Sequence, residues 1–177
     1  VTREAGIFKA GGATHTAPDS GGSVTEYSHS RLSSYENCPR KFKYRYVDQI
    51  KVDTEGVEAF MGRRVHEILE RLYHHVARNG RPPSLAQVLE RYRKDWSQSW
   101  HEKIQIVRKE NPPEYYLERG ERCLENYYRG HYPFTSGETV ALEERLRLQL
   151  DSDGRYKLLG IVDRIVRRGE GAFEIHD

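Results

Sequence analysis

From Val57 to Val76, apolar residues recur at Val57, Met61, Val65, Ile68, Leu69, Leu72 and Val76. That spacing predicts one helix with a single buried stripe. Asn79-Gly80 reads as its stop, and Pro82-Pro83 separate it from the next element. Ser84 with Gln87 has the form of a capping box. Leu85, Val88, Leu89, Tyr92, Trp96, Trp100 and Ile104 then predict a long amphipathic helix. After Pro112-Pro113, a third helix is expected to carry Tyr116, Leu117, Gly120, Cys123, Leu124 and Tyr127, with Gly130 as its stop. From Glu138 the period changes to two. Val140, Leu142, Leu146, Leu148 and Leu150 mark a half-buried strand. Asp153-Gly154 predicts a two-residue hairpin turn. Tyr156 to Val166 is apolar on both faces, as a central strand is. Gly169-Glu170-Gly171 turns the chain into a third strand over 172–177. Helices followed by a strand meander predict an α+β fold around a mixed sheet, or α/β if further elements complete it.

Nearer the start the pattern is weaker. Residues 1–28 are rich in Gly, Ser, Thr and Ala, with no apolar period, and predict a flexible linker or tail. The ordered domain is then expected over 29–177. Ser30 is the expected cap of a short helix reaching Asn37, and Pro39 suits the first turn of the next one. The chain begins with Val1 and its third strand is only just under way at Asp177. Both ends are expected to be cuts in a longer polypeptide.

Charge adds little at the level of the whole chain. Lys and Arg number 29 against 27 acidic residues, a formal net charge of +2. Any nucleic-acid affinity must therefore come from local clustering. Arg40, Lys41, Lys43 and Arg45 supply such a cluster, interleaved with Phe42, Tyr44 and Tyr46. Cations beside rings suit a nucleic-acid backbone with stacked bases. They equally suit a solvated helix face with its rings in the core, and the expectation is rings inward and cations outward. No apolar run is long enough to cross a membrane. Two cysteines, Cys38 and Cys123, make no disulfide framework and fit a reducing, cytoplasmic setting. Cys123 lies on a helical apolar stripe and is expected in the core.

The two hairpins act as rulers, because paired residues in a hairpin sum to a constant. A turn centred on Glu170 puts Asp163 across from Asp177, with Cβ atoms roughly 5 Å apart. A turn centred on Asp153-Gly154 puts Glu144 across from Asp163. The choice between Glu143 and Glu144 stays open, since a one-residue slip exchanges them. Converging carboxylates repel unless a cation lies between them or one is protonated. Their oxygens suit Mg2+ or Mn2+. A strand-end aspartate also serves as a turn cap or as the partner of a neighbouring arginine, and that reading stands beside the metal one. His66 flanks the first helical stripe, with Gly62 one turn before it. It reads either as a half-exposed helix histidine or as a ligand.

Several of these segments resemble a known family. Ser30-Arg31-Leu32, then Cys38-Pro39-Arg40-Lys41-Phe42-Lys43-Tyr44-Arg45-Tyr46, is similar to the opening of RecB-like PD-(D/E)XK nucleases. Gly62 to Glu70 looks like that family's histidine motif. Gly160-Ile161-Val162-Asp163-Arg164-Ile165 looks like its aspartate motif, and Glu174-Ile175-His176-Asp177 like the start of its lysine motif. The resemblance implies that His66, Asp163 and Asp177 hold or tune a divalent metal that polarises the scissile phosphate. It also implies a lysine two residues beyond Asp177 and a later substrate-binding helix, so that activity belongs to the intact parent. AddB and CRISPR-adaptation relatives carry a four-cysteine iron–sulfur cluster whose first ligand matches Cys38. Three functions follow: a DNA nuclease fused to or working with a helicase in repair, a DNA-binding module of the same fold without catalysis, or a scaffold within a helicase complex.

Overall fold

A computed structural model describes residues 25–176. Strand β1 (Thr25–Ser28) leads directly into helix α1 (His29–Asn37), α2 (Pro39–Phe42) and a π-helical turn over Lys43–Val47. The linker expected over 1–28 therefore gives way to structure by Thr25, and its residues 1–24 lie outside the described residues. A four-residue strand that pairs along one edge has too short a period to register in a sequence. The cap also differs from expectation. Ser28 Oγ, not Ser30, accepts the Arg31 N–H at 3.3 Å. Pro39 occupies the first turn of α2 as anticipated, and Cys38 Sγ caps that helix by accepting the Lys41 N–H at 3.4 Å.

Three long helices hold the core. Strand β2 (Glu55–Gly56) precedes α3 (Val57–Asn79), which Gly80 ends with φ 68°. Only a residue without a Cβ reaches that left-handed conformation at no steric cost. The capping box of Ser84 and Gln87 opens α4 (Leu85–Ser99). This helix stops before Ile104, short of the expected length. Trp100 turns extended, and strand β3 (Ile104–Gln105) pairs with β2 in parallel. Trp100 still packs against Trp96 and edge-on against Phe60, so its apolar spacing imitates another helical turn. Helix α5 (Pro113–His131) runs one residue past Gly130. A Cβ on Gly120 would lie 1.9 Å from Tyr92 Oη, so glycine is what lets α4 and α5 approach there. Phe60, Leu72, Tyr92, Trp96, Tyr116 and Leu124 fill the space between the three helices. Cys123, expected among them, is exposed.

The sheet is mixed. Strand β5 (Tyr156–Gly169) is central, with β4 (Glu138–Gln149) antiparallel along one side. Its other side is shared. β1 runs parallel to Tyr156–Leu159, and β6 (Ala172–His176) runs antiparallel from Arg164 onward. Val166 is fully buried, and Leu142 packs against the helical core.

One register differs from its predicted value. From Ala141 onward the β4–β5 pairs sum to 306, as in Leu142↔Arg164 and Glu144↔Val162. The connection is not a two-residue Asp-Gly turn. Leu150 N–H donates to Tyr156 O at 2.9 Å, which closes a loop over residues 151–155. Within it, Asp151 accepts from the Arg155 and Tyr156 N–H groups at 3.3 and 3.0 Å. A loop of odd length moves every partner by one, so Glu144 does not face Asp163. The β5–β6 register agrees with its expected sum of 340, as Arg164↔His176 and Ile165↔Ile175 show.

Candidate functional site

Asp163 sits where one flank of β5 changes neighbour. β1 ends opposite Leu159 and β6 begins opposite Arg164, so the backbone between them has no paired strand on that side among the described residues. In open sheets, such a change of neighbour leaves a crevice where ligands gather. On the other flank, the pairs either side of Glu143 set it opposite Asp163. Glu143 has φ 50°, a left-handed conformation uncommon for a residue with a side chain. Strained backbone of this kind collects at functional sites.

Helix α3 supplies the third group. His66 Nδ1 lies 3.1 Å from Asp163 Oδ2. At Gly62, one turn earlier, nothing stands within 4 Å of where a Cβ would be, so the approach to the imidazole is open. One ligand atom each from His66, Glu143 and Asp163 lies within 4.8 Å of the others. An imidazole nitrogen and two carboxylates form a hard donor set of the type that holds Mg2+ or Mn2+. Of the residues singled out from sequence, His66 and Asp163 come together. Glu144 is turned away by the register, and Glu143 stands in its place. Asp177 lies outside the described residues.

These three residues line one side of a cleft of about 400 Å3. Its inner wall carries groups that the hydrophobic pattern did not reveal: Arg164, Tyr73, His131 and His176. Arg164 is buried. Its Nε donates to Thr139 Oγ1 at 3.0 Å and its Nη1 to Tyr73 Oη at 2.7 Å. Its guanidinium also stands 3.8 Å from the centre of the Tyr73 ring. Burial, aided by the hydrogen bond with Tyr127, pushes the Tyr73 phenol well above its usual range, so it stays a neutral partner. Burial, then the neighbouring Arg164 charge, pulls the His176 pKa down. The sequence signals for Arg164 were its place beside Asp163 in the Gly160–Ile165 motif and a cation within a largely apolar strand.

The basic stretch takes up the expected arrangement except at Tyr44. Arg40, Lys41, Lys43 and Arg45 are exposed, while Phe42 and Tyr46 turn partly inward. Tyr44 stays outside, where Arg40 Nε donates to its hydroxyl at 2.8 Å. Lys43 pairs with Asp48 at 3.2 Å. Cys38 lies beside Arg40, Lys41 and Arg45 on the wall of a separate groove.

Helices packed on a mixed sheet, with an acidic and histidine cluster at the change of strand partner, define a restriction-endonuclease-like α+β protein. The family model for the PD-(D/E)XK nuclease superfamily matches residues 26–177, and the chain belongs to that superfamily. Searches of curated proteins and of solved structures return no match. No helix among the described residues is long and apolar enough to cross a membrane.

Proposed function

We propose that this chain is the nuclease domain of a Mg2+- or Mn2+-dependent deoxyribonuclease that hydrolyses DNA phosphodiester bonds. The observation that carries the proposal is the convergence of His66, Glu143 and Asp163 within 4.8 Å, in a chain of nuclease ancestry. His66 Nδ1 and the Glu143 and Asp163 carboxylates would hold the cation, with Asp177 as a further ligand. Bound there, a divalent cation supplies Lewis-acid polarisation of a phosphate oxygen. The protein contributes the positioning. β5 fixes Asp163, α3 brings His66 to it, and the inner wall of the cleft excludes bulk water from one side of the substrate. Arg40, Lys41, Lys43 and Arg45 would hold DNA phosphates away from the reacting bond.

The motif resemblance extends the proposal to exonuclease action beside a helicase, in the same chain or complex, during repair or recombination in the cytoplasm. The resemblance that matches Cys38 to the first cluster ligand of AddB and CRISPR-adaptation relatives puts the other three ligands beyond Asp177; in this structure Cys38 caps α2.

The test is Asp163→Asn in the full-length protein. Mn2+ binding by calorimetry and Mg2+-dependent cleavage of linear DNA should both be lost while the thermal transition persists. A variant that still cuts at the wild-type rate would falsify the assignment.

A further inference from the structure

The cleft contains a buried cation that the metal site does not explain. Arg164 is 3% exposed. Its partners are the hydroxyls of Thr139 and Tyr73 and the face of the Tyr73 ring. The third corner of the guanidinium, Nη2, is buried with no hydrogen-bond partner. Glu174 feels this charge but is held by Arg168. A buried guanidinium with an unsatisfied donor is costly, and proteins keep one where a ligand completes it. Here the ligand must be an anion small enough for the cleft, and it must arrive beside His66, Glu143 and Asp163, which line the same space.

We propose that Arg164 is a substrate-contacting residue that donates from Nη2 to a non-bridging oxygen of the phosphate being cleaved. The reading rests on the nuclease proposal and adds a specific cation to it. Thr139 and Tyr73 orient the guanidinium plane, and as neutral groups they do not cancel its charge. Arginine suits this role because its fork offers directed donors, where lysine offers a point charge.

The experiment compares wild type, Arg164→Gln and Arg164→Lys in the full-length protein. Each is melted, titrated with a short DNA duplex in EDTA across a range of salt concentrations, and assayed for cleavage with Mn2+. Arg164→Gln should melt cooperatively, lose about 0.9 from the log–log salt slope, and lose about 100-fold or more in kcat. Arg164→Lys should keep the salt slope yet lose about tenfold in kcat with KM little changed, because the charge remains and the directed donor does not. A merely structural arginine would move neither the slope by one phosphate nor kcat apart from KM. Arg164→Gln with the wild-type slope and rate overturns the proposal. So does a fully active Arg164→Lys, or loss of the fold in both variants, which would assign the guanidinium to the core. A wild-type protein that neither binds nor cuts DNA overturns the nuclease reading itself. Active wild type with active variants overturns the Arg164 role alone.

Discussion

At the scale of single residues, the site turns on one position in one loop. The Asp151 carboxylate closes a connection of odd length, and that selects Glu143 over Glu144 as the neighbour of Asp163. The alternation of β4 alone could not choose, because Glu143 and Glu144 are adjacent and both charged. The left-handed backbone at Glu143 is a consequence of tertiary context, invisible to any periodic reading. Glu143→Gln should weaken Mn2+ binding by tenfold or more, at least the order of loss seen when supporting groups of a metal site are removed. Glu144→Gln should leave the affinity within about twofold, the usual range for a surface change. Calorimetric titration of both variants decides it, and equal effects would sink the register argument.

At the scale of elements, the helices were legible and the short strands were not. Helices α3, α4 and α5 each bury one stripe, so their spacing carries over several turns. The capping box at Ser84 and the stop at Gly80 are local chemistry that a sequence displays directly. β1, β2 and β3 have four residues or fewer and exist because a partner strand is near, which no local pattern encodes. The β5–β6 register could be read from its turn, whereas the β4–β5 loop conceals its length behind an Asp-Gly pair. That loop makes a prediction of its own. The backbone N–H groups of Tyr156 and Arg155 hold the Asp151 carboxyl below the usual carboxylate range. A group with a depressed folded pKa stabilises the fold above its unfolded pKa, roughly 3.9, and that contribution is lost as pH falls through the folded value. The Tyr156 amide signal should therefore titrate with a midpoint below that of a free aspartate. A midpoint at or above the ordinary value would mean the carboxylate does not hold the loop. The basic stretch yields a second test at this scale. Charge reversal of Arg40 and Lys43 should flatten the salt dependence of duplex binding by roughly 0.9 for each phosphate the two cations no longer neutralise. An unchanged slope would show that α2 faces away from DNA.

At the scale of the whole molecule, stability and chemistry occupy different places. The packed core lies among α3, α4 and α5, while the acidic cluster lies where α3 meets the sheet. Two carboxylates held close without a cation repel, and the His66 contact with Asp163 at 3.1 Å offsets that, so the metal-free site adds little to stability. Three outcomes follow from that separation. Leu124, fully buried, should cost about 2–5 kcal/mol when cut to alanine, with or without metal. Asp163→Asn should melt in EDTA close to wild type, because the repulsion it relieves offsets the exposed His66 contact it weakens. Mn2+ at 100 times its dissociation constant should stabilise the wild type by about 2.7 kcal/mol through mass action. For a domain of this size that is about 5–10 °C in Tm. The same Mn2+ should raise the Tm of Leu124→Ala by a similar increment from a lower start, and should leave Asp163→Asn unmoved. Melting curves of the three proteins in EDTA and in Mn2+ separate the two contributions. If Mn2+ lifts Asp163→Asn as much as wild type, the cation binds elsewhere and the cluster on β5 is only an arrangement of surface acids.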